Sequence, residues 1–307
     1  MFRRIARAAA ALFVAVLAAG CTAEKERAGA QEPEGAAKDD RASWPKVLNV
    51  SAIPDVAQNT LLTTYEPFAA WLSAGLGIEV KFNPVTDYPA TVDGLAAGRL
   101  DLVWYGGYTS VQAFRAAKGN VERLVCRAED LHFKSVFVAA PGSGIRSLAD
   151  LKGRTFTFGS SASTSGHLMP RSYLMAAGID PETDFANVSY SSAHDKTAKL
   201  VEAGAVQAGA LNFKTWDRMV AEKRVDVTKV AVFWTTPEYV DYCWCARKDL
   251  PAGLRAKIKG MFLALDGAQP GDRKLLDLQT ASEYVPCDDT LWKGIEDAAR
   301  GAKMLKD

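Results

Sequence analysis

Histidine is scarce in this 307-residue chain, at three residues, and no Cys-x-x-Cys pair occurs. A zinc or other thiolate–imidazole centre therefore has little to be built from. No Gly-x-Ser-x-Gly elbow is present, so a serine hydrolase of the α/β type lacks its nucleophile turn. A surplus of one charge is missing too. The formal net charge is +1, and it falls to −2 once Arg3, Arg4 and Arg7 are set aside, leaving 34 basic against 36 acidic residues. That balance disfavours nucleic acid and anionic membrane surfaces as partners.

Against those absences stands an ordinary globular composition, 48% hydrophobic and 24% charged. The length suits two domains or lobes. The N-terminus is a targeting segment. Arg3, Arg4 and Arg7 precede an apolar run over residues 8–19 that is too short to span a bilayer comfortably. Leu17-Ala18-Ala19-Gly20-Cys21 resembles a lipobox with its leucine one place early. Residues 1–21 are thus expected to be a lipoprotein-type signal, with Cys21 lipidated and the protein held on the periplasmic face of a membrane. Ordinary secretory cleavage near Ala19 or Ala23 would instead give an exported soluble protein. Residues 22–45 begin polar and without hydrophobic period, as expected of a disordered tether.

Four cysteines remain beyond Cys21: Cys126, Cys243, Cys245 and Cys287. An oxidising compartment permits three full pairings among them, and the sequence does not choose. Cys243 and Cys245 flank Trp244 at strand spacing and face one way. A bond from one of these two to Cys126 or Cys287 is expected.

Strands and helices alternate along the rest. Residues 47–53 read as a strand, and the helix from about 60 to 74 carries a core stripe of Leu61, Tyr65, Phe68 and Leu72. Further strands are read at 78–82, 100–104, 121–126, 135–139, 155–158, 187–190, 206–211 and 230–234, with helices between them. The alternation predicts α/β architecture with a parallel-type sheet. A discontinuous first lobe (46–136 plus 238–307) and a continuous second lobe (137–237), joined by two hinge strands, are expected. Residues 154–169, RTFTFGSSASTSGHLM, form a strand, a hydroxyl-rich loop and a helix expected to begin near Gly166. Such a turn aims backbone N–H groups and hydroxyls at one spot before a positive helix end, which suits an anion. The plainer alternative is that Ser163, Thr164 or Ser165 only caps the helix.

The run from LADLKGRTFTFGSSASTSGHLMPRSYLMAAGIDPETDF to YSSAHDKTAKLVEAGAVQAGALN resembles the phosphonate-type substrate-binding proteins of ABC importers. With SAIPD, VTDY, DLVWYGG and RAED, the similarity spans residues 47–302. Within that family it is most similar to the selenate-uptake branch, with phosphite and phosphonate binders as cousins. The resemblance implies a type II periplasmic-binding fold that holds its ligand between the lobes. By matching motif it assigns the ligand to Tyr88, Tyr105, Ser163, Thr164, Ser165 and His194, with Thr109, Asp195 and Asn212 as second choices. Asp195 has an equal reading as a helix cap, and Asp55 and Asp101 read as turn residues.

No cofactor or metal is expected. The expected partners are a small oxyanion (selenate-, phosphite- or phosphonate-like) and an ABC permease, with the protein itself a monomer. No acid stands where aminoalkyl-phosphonate binders receive an amine; Phe213, Lys214 and Tyr242 occur there. Two other ligands stay open: a lipid-like molecule in a cleft lined by Trp104, Tyr108, Phe213, Trp216 and Trp244, or a thiophilic oxyanion if the thiols lie near the cleft. A sensor for a membrane kinase would use the same fold. An enzyme is the rival class, but His194 and Asp195 are sequence neighbours, so the acid is poorly placed to orient that ring.

Overall fold

The computed structural model describes residues 40–305. The signal segment, Cys21 and most of the expected tether lie outside the described residues. The end of that tether is docked onto the body: Trp44 Nε1 donates to Asp40 Oδ1, Gly253 N donates to Asp40 Oδ2, and Arg41 donates to the Leu76 carbonyl.

The chain forms two mixed sheets. The first takes β1 (Val47–Ala52), β2 (Glu79–Phe82), β3 (Leu102–Tyr105) and β4 (Val121–Arg127) from the front of the chain. The second holds β5 (Ser135–Ala139), β6 (Thr155–Phe158), β7 (Asn187–Tyr190), β8 (Ala208–Asn212) and β9 (Ala231–Thr235). The chain then returns to the first sheet through β10 (Cys243–Arg247) and β11 (Tyr284–Pro286). The spatial orders are β11-β4-β10-β3-β1-β2 and β7-β6-β8-β5-β9.

The parallel-type expectation holds for β2-β1-β3 and for β7-β6-β8 only. β10 runs antiparallel between β3 and β4, and β5 runs antiparallel to β8 and β9. These are strands at which the chain enters one sheet from the other, so they arrive from the opposite end. The two crossings pair with each other through Phe133 N to Tyr239 O (2.8 Å) and Tyr239 N to Phe133 O (3.0 Å). This short ribbon joins the two lobes.

Helices cover the sheets: α1 (Gln58–Leu76), α2 (Tyr88–Ala96), α3 (Gly107–Ala116), α4 (Met169–Ala176), α5 (Pro181–Asp184), α6 (His194–Glu202), α7 (Phe213–Ala221), α8 (Ala252–Leu263), α9 (Pro270–Leu278) and α10 (Lys293–Gly301). The α1 stripe is core as expected, with Leu61, Tyr65, Phe68 and Leu72 all buried. Trp244 lies at the centre of an aromatic cluster with Tyr65, Phe68, Trp104 and Phe262. Trp216 is buried in the second lobe. These rings therefore fill interior volume instead of lining a wide apolar cleft.

The four cysteines are free thiols, so the expected cross-link is not formed. They do cluster: Cys243 Sγ is 3.4 Å from Cys245 Sγ, and Cys287 contacts both Cys126 and Cys243. Ser110 and Arg123 share this packed layer, in which Cys126, Cys243 and Cys245 are fully buried.

Candidate functional site

The strand-end turns of both lobes face one another, as expected where ligands collect in open α/β sheets. In the hydroxyl-rich turn, Ser163 Oγ accepts from Gly166 N at 3.0 Å, so Ser163 is indeed a cap. The turn itself is wider than an α-helical start: Leu168 N reaches back five residues to Ser163 O at 3.0 Å. The α geometry begins only at Met169. Wide turns of this kind recur at functional sites, because the extra residue re-aims neighbouring side chains. Here it frees Thr164 and Ser165 from capping duty.

Thr164 points across the cleft. Its Oγ1 accepts from Tyr108 N, in the first turn of α3, at 2.8 Å. Thr109 Oγ1 donates back to the Ala162 carbonyl at 2.9 Å, and His194 N donates to the Asp55 carbonyl at 2.9 Å. The approach is close: a Cβ added at Gly106 would sit 3.0 Å from Thr164 Oγ1, so its neighbours would have to shift to admit one. Gly166 is similarly hemmed in, with His194 Cε1 at 3.0 Å from the same hypothetical atom.

His194 is 1% exposed, and burial drives its pKa down to about 3, so the ring is neutral. Its Nδ1 accepts from Asn212 N at 3.3 Å, which leaves the proton on Nε2. Nε2 faces the Tyr242 hydroxyl at 3.4 Å. Tyr242 in turn donates to Asp55 Oδ2 (3.0 Å) and receives a bond from Asn212 Nδ2 (2.9 Å). Tyr88 is 1% exposed; its hydroxyl faces Ser163 but has no partner of good geometry. Ser165 Oγ is likewise buried without a partner. Burial raises the pKa of Tyr88 and Tyr242, so both remain hydroxyl donors.

The sequence reading passed over Asp241. This residue is fully buried in the chain's return toward β10, and its Oδ1 accepts from Gly107 N at 2.8 Å. Its Oδ2 is buried without a partner, close to Thr164 and Ser165. Burial pushes its pKa up to about 7. Asp55, expected to be only a turn residue, is also driven up by burial, to about 6. No local signal marks Asp241: it stands 134 residues from its partner Gly107, in a segment without periodicity.

Tyr88, Ser163, Thr164, Ser165 and His194 thus converge with Asp241, Asp55 and Tyr242. Thr109 serves the lobe contact through its hydroxyl, and Asn212 orients His194 and Tyr242 from behind while capping α7. The remaining two expected residues point elsewhere. The Tyr105 hydroxyl donates to the Thr91 carbonyl at 2.7 Å inside the first lobe. Asp195 neither caps α6 nor reaches the cleft; its Oδ1 accepts from Lys196 N, and Oδ2 lies 3.7 Å from Arg224. A groove of about 780 Å³ leads from the surface to Tyr88, between Asp87 of the first lobe and Ser160, Tyr190 and Lys196 of the second.

Comparison with known proteins identifies the family and the fold. A family model described as "ABC transporter, phosphonate, periplasmic substrate-binding protein" covers residues 50–292. A probable ABC transporter phosphite-binding protein of Prochlorococcus marinus (strain MIT 9301) is 39% identical over 86% of this chain and 92% of its own. The phosphonates-binding periplasmic protein of Escherichia coli (strain K12) is 26% identical over 76% and 70% of the two chains. The solved structure of the Prochlorococcus protein PhnD1 in complex with methylphosphonate superposes with a TM-score of 0.81 at 38% identity, covering 85% of this chain and all of that one. The chain therefore has the type II periplasmic-binding fold, is a solute binder and not an enzyme, and belongs to the periplasmic phosphonate substrate-binding family of ABC transporters.

Proposed function

We propose that this protein captures a small phosphorus oxyanion, phosphite or a short alkylphosphonate, between Tyr88, Ser163, Thr164, Ser165 and His194, and presents it to an ABC importer. The observation that carries the reading is a set of neutral donors from both lobes facing a buried carboxyl oxygen without a partner. Micromolar affinity needs about 8 kcal/mol. Hydrogen bonds to a charged oxygen supply roughly 1.5–3 kcal/mol each, so four to six of them suffice after immobilisation. A relative that binds methylphosphonate on the same fold supports the ligand class.

Asp241 sharpens it. Within hydrogen-bond reach of a ligand oxygen, a carboxyl needs one shared proton: either Asp241 donates, or the ligand's P–OH does. Phosphite and phosphonates bring such a proton, whereas sulfate and selenate, being anions of strong acids, do not. With the pKa at about 7, sulfate-type ligands must wait for Asp241 to be protonated. Their affinity is expected to fall about tenfold per pH unit above 7, while that of methylphosphonate falls less. Asp241→Asn keeps the acceptor for Gly107 N and removes the charge. Calorimetric titration of this variant with sulfate between pH 6 and 8 should give a flat profile. A wild-type sulfate profile that is already flat would remove Asp241 from the ligand contact.

The periplasmic setting of the family makes lipid attachment at Cys21 the natural tether. Mass spectrometry of membrane-extracted protein should find a diacylglyceryl thioether at Cys21, and Cys21→Ser should release the protein into the soluble fraction. An unmodified N-terminus at Ala23 or nearby would establish ordinary export instead.

A further inference from the structure

A second cavity, of about 60 Å³, adjoins the anion seat on the far side of Tyr242. At roughly 10–15 Å³ per water position, it holds about four waters, the bulk of a carboxymethyl group. Both lobes line it. The first lobe supplies Asp55, Arg127 and Gln279, and the second supplies Asn212, Lys214 and Arg218. The cations are not equivalent. Arg127 is committed to Asp130 through two side-chain bonds of 2.8 and 2.6 Å. Lys214 Nζ donates to the Thr280 carbonyl at 2.9 Å and is faced by Glu129 and Asp217. Arg218 Nε is buried without a partner, and the Arg218 charge acts on Asp55, which also lines the cavity. A buried guanidinium donor with no acceptor, beside a small polar cavity, is the complement of a carboxylate.

We propose that this cavity receives a small carboxylate, held by Arg218 with Lys214 beside it. The inference rests on the anion seat described above, because the Asp55–Tyr242–Asn212 hydrogen-bond cluster is the wall between the two spaces. The carboxylate has two sources. It arrives as the substituent of a phosphonate, in which case Tyr242 must swing aside, or as a separate small ion, in which case the wall stays shut. Since both lobes line the cavity, either occupant favours the closed form.

Calorimetry on the intact protein separates these sources, with methylphosphonate, ethylphosphonate and phosphonoacetate as ligands, each with and without acetate. A substituent predicts that phosphonoacetate binds about tenfold tighter than ethylphosphonate, with the gain lost in Arg218→Gln and reduced in Lys214→Gln. A separate ion predicts that acetate tightens methylphosphonate binding in the wild type and not in Arg218→Gln. Methylphosphonate binding that is unaffected by acetate, together with no advantage for phosphonoacetate, overturns the proposal while leaving the anion seat intact. Failure of methylphosphonate itself to bind refutes the seat. The cavity is then decided by whether acetate alone raises the melting temperature of the wild type more than that of Arg218→Gln.

Discussion

Asp130→Ala is expected to destabilise the protein by about 3–5 kcal/mol, because it strands the Arg127 guanidinium in the interior without its counter-charge. Asp130 is fully buried and Arg127 is 6% exposed. Asp130 accepts from Arg127 N at 3.0 Å and from Nε and Nη2 in a bidentate pair, while Arg127 Nη1 donates to the Gln279 carbonyl at 2.6 Å. The guanidinium also lies about 5 Å over two rings, 5.1 Å from Trp104 and 5.2 Å from Tyr242. Arg127, held by Asp130, therefore fastens the end of β4 to the residue that follows α9 and backs the tyrosine that faces His194. Urea unfolding of wild type and variant would measure the loss. Paired replacement of both charges by apolar residues should recover much of it, since the desolvation penalty then disappears with the charges. A single-variant loss under 1 kcal/mol would show that water reaches the guanidinium.

The second large effect concerns the anion seat. Thr164→Ala with His194→Ala removes a hydroxyl and an Nε2–H, each a donor worth roughly 1.5–3 kcal/mol to a charged oxygen. Together they should weaken phosphite or methylphosphonate binding by about 10²–10⁴-fold. A wild-type protein with ligand at 100 times its Kd gains about 2.7 kcal/mol of stability; the double variant should gain almost nothing. Differential scanning fluorimetry reads this directly. Circular dichroism must first show that the variant is folded, because Thr164 also fastens Tyr108 N. An undiminished shift in a folded double variant would place the ligand elsewhere.

Acid and base should act on the site with opposite signs. Asp55 and Asp241 have raised values, about 6 and about 7, so their contribution to stability is complete below pH 4 and is lost as the pH climbs through 6 and 7. His167 and His194 are depressed by burial, to about 4 and about 3, so theirs is complete above 6.5 and declines as the pH falls through those values. The two demands overlap best in mildly acidic solution.

Sequence patterns reached the scaffold and part of the candidate site. The stretch at 154–169 carries its own local chemistry, hydroxyls and glycine between an apolar strand and a helix, so its candidacy is readable without neighbours. Tyr105 shows where that fails. Alternation along β3 says that neighbouring side chains oppose one another, but not which side faces the cleft until α2 is placed and Thr91 claims the hydroxyl. Asp241 and Tyr242 lie in a connecting segment, where only the folding of both lobes reveals what they meet. The antiparallel strands were missed for a related reason: direction depends on where the chain enters a sheet, which composition does not encode.

The bonds that run directly between the lobes, Thr164 to Tyr108, Thr109 to Ala162 and His194 to Asp55, carry a kinetic consequence. They run between protein groups, so they resist opening in addition to whatever the solute itself contributes. Escape must wait for all of them to part, and arrival must wait for the same event. The protein's own opening then caps the rates of both capture and release, and differences in affinity between guests should appear in how much further each one slows its own release.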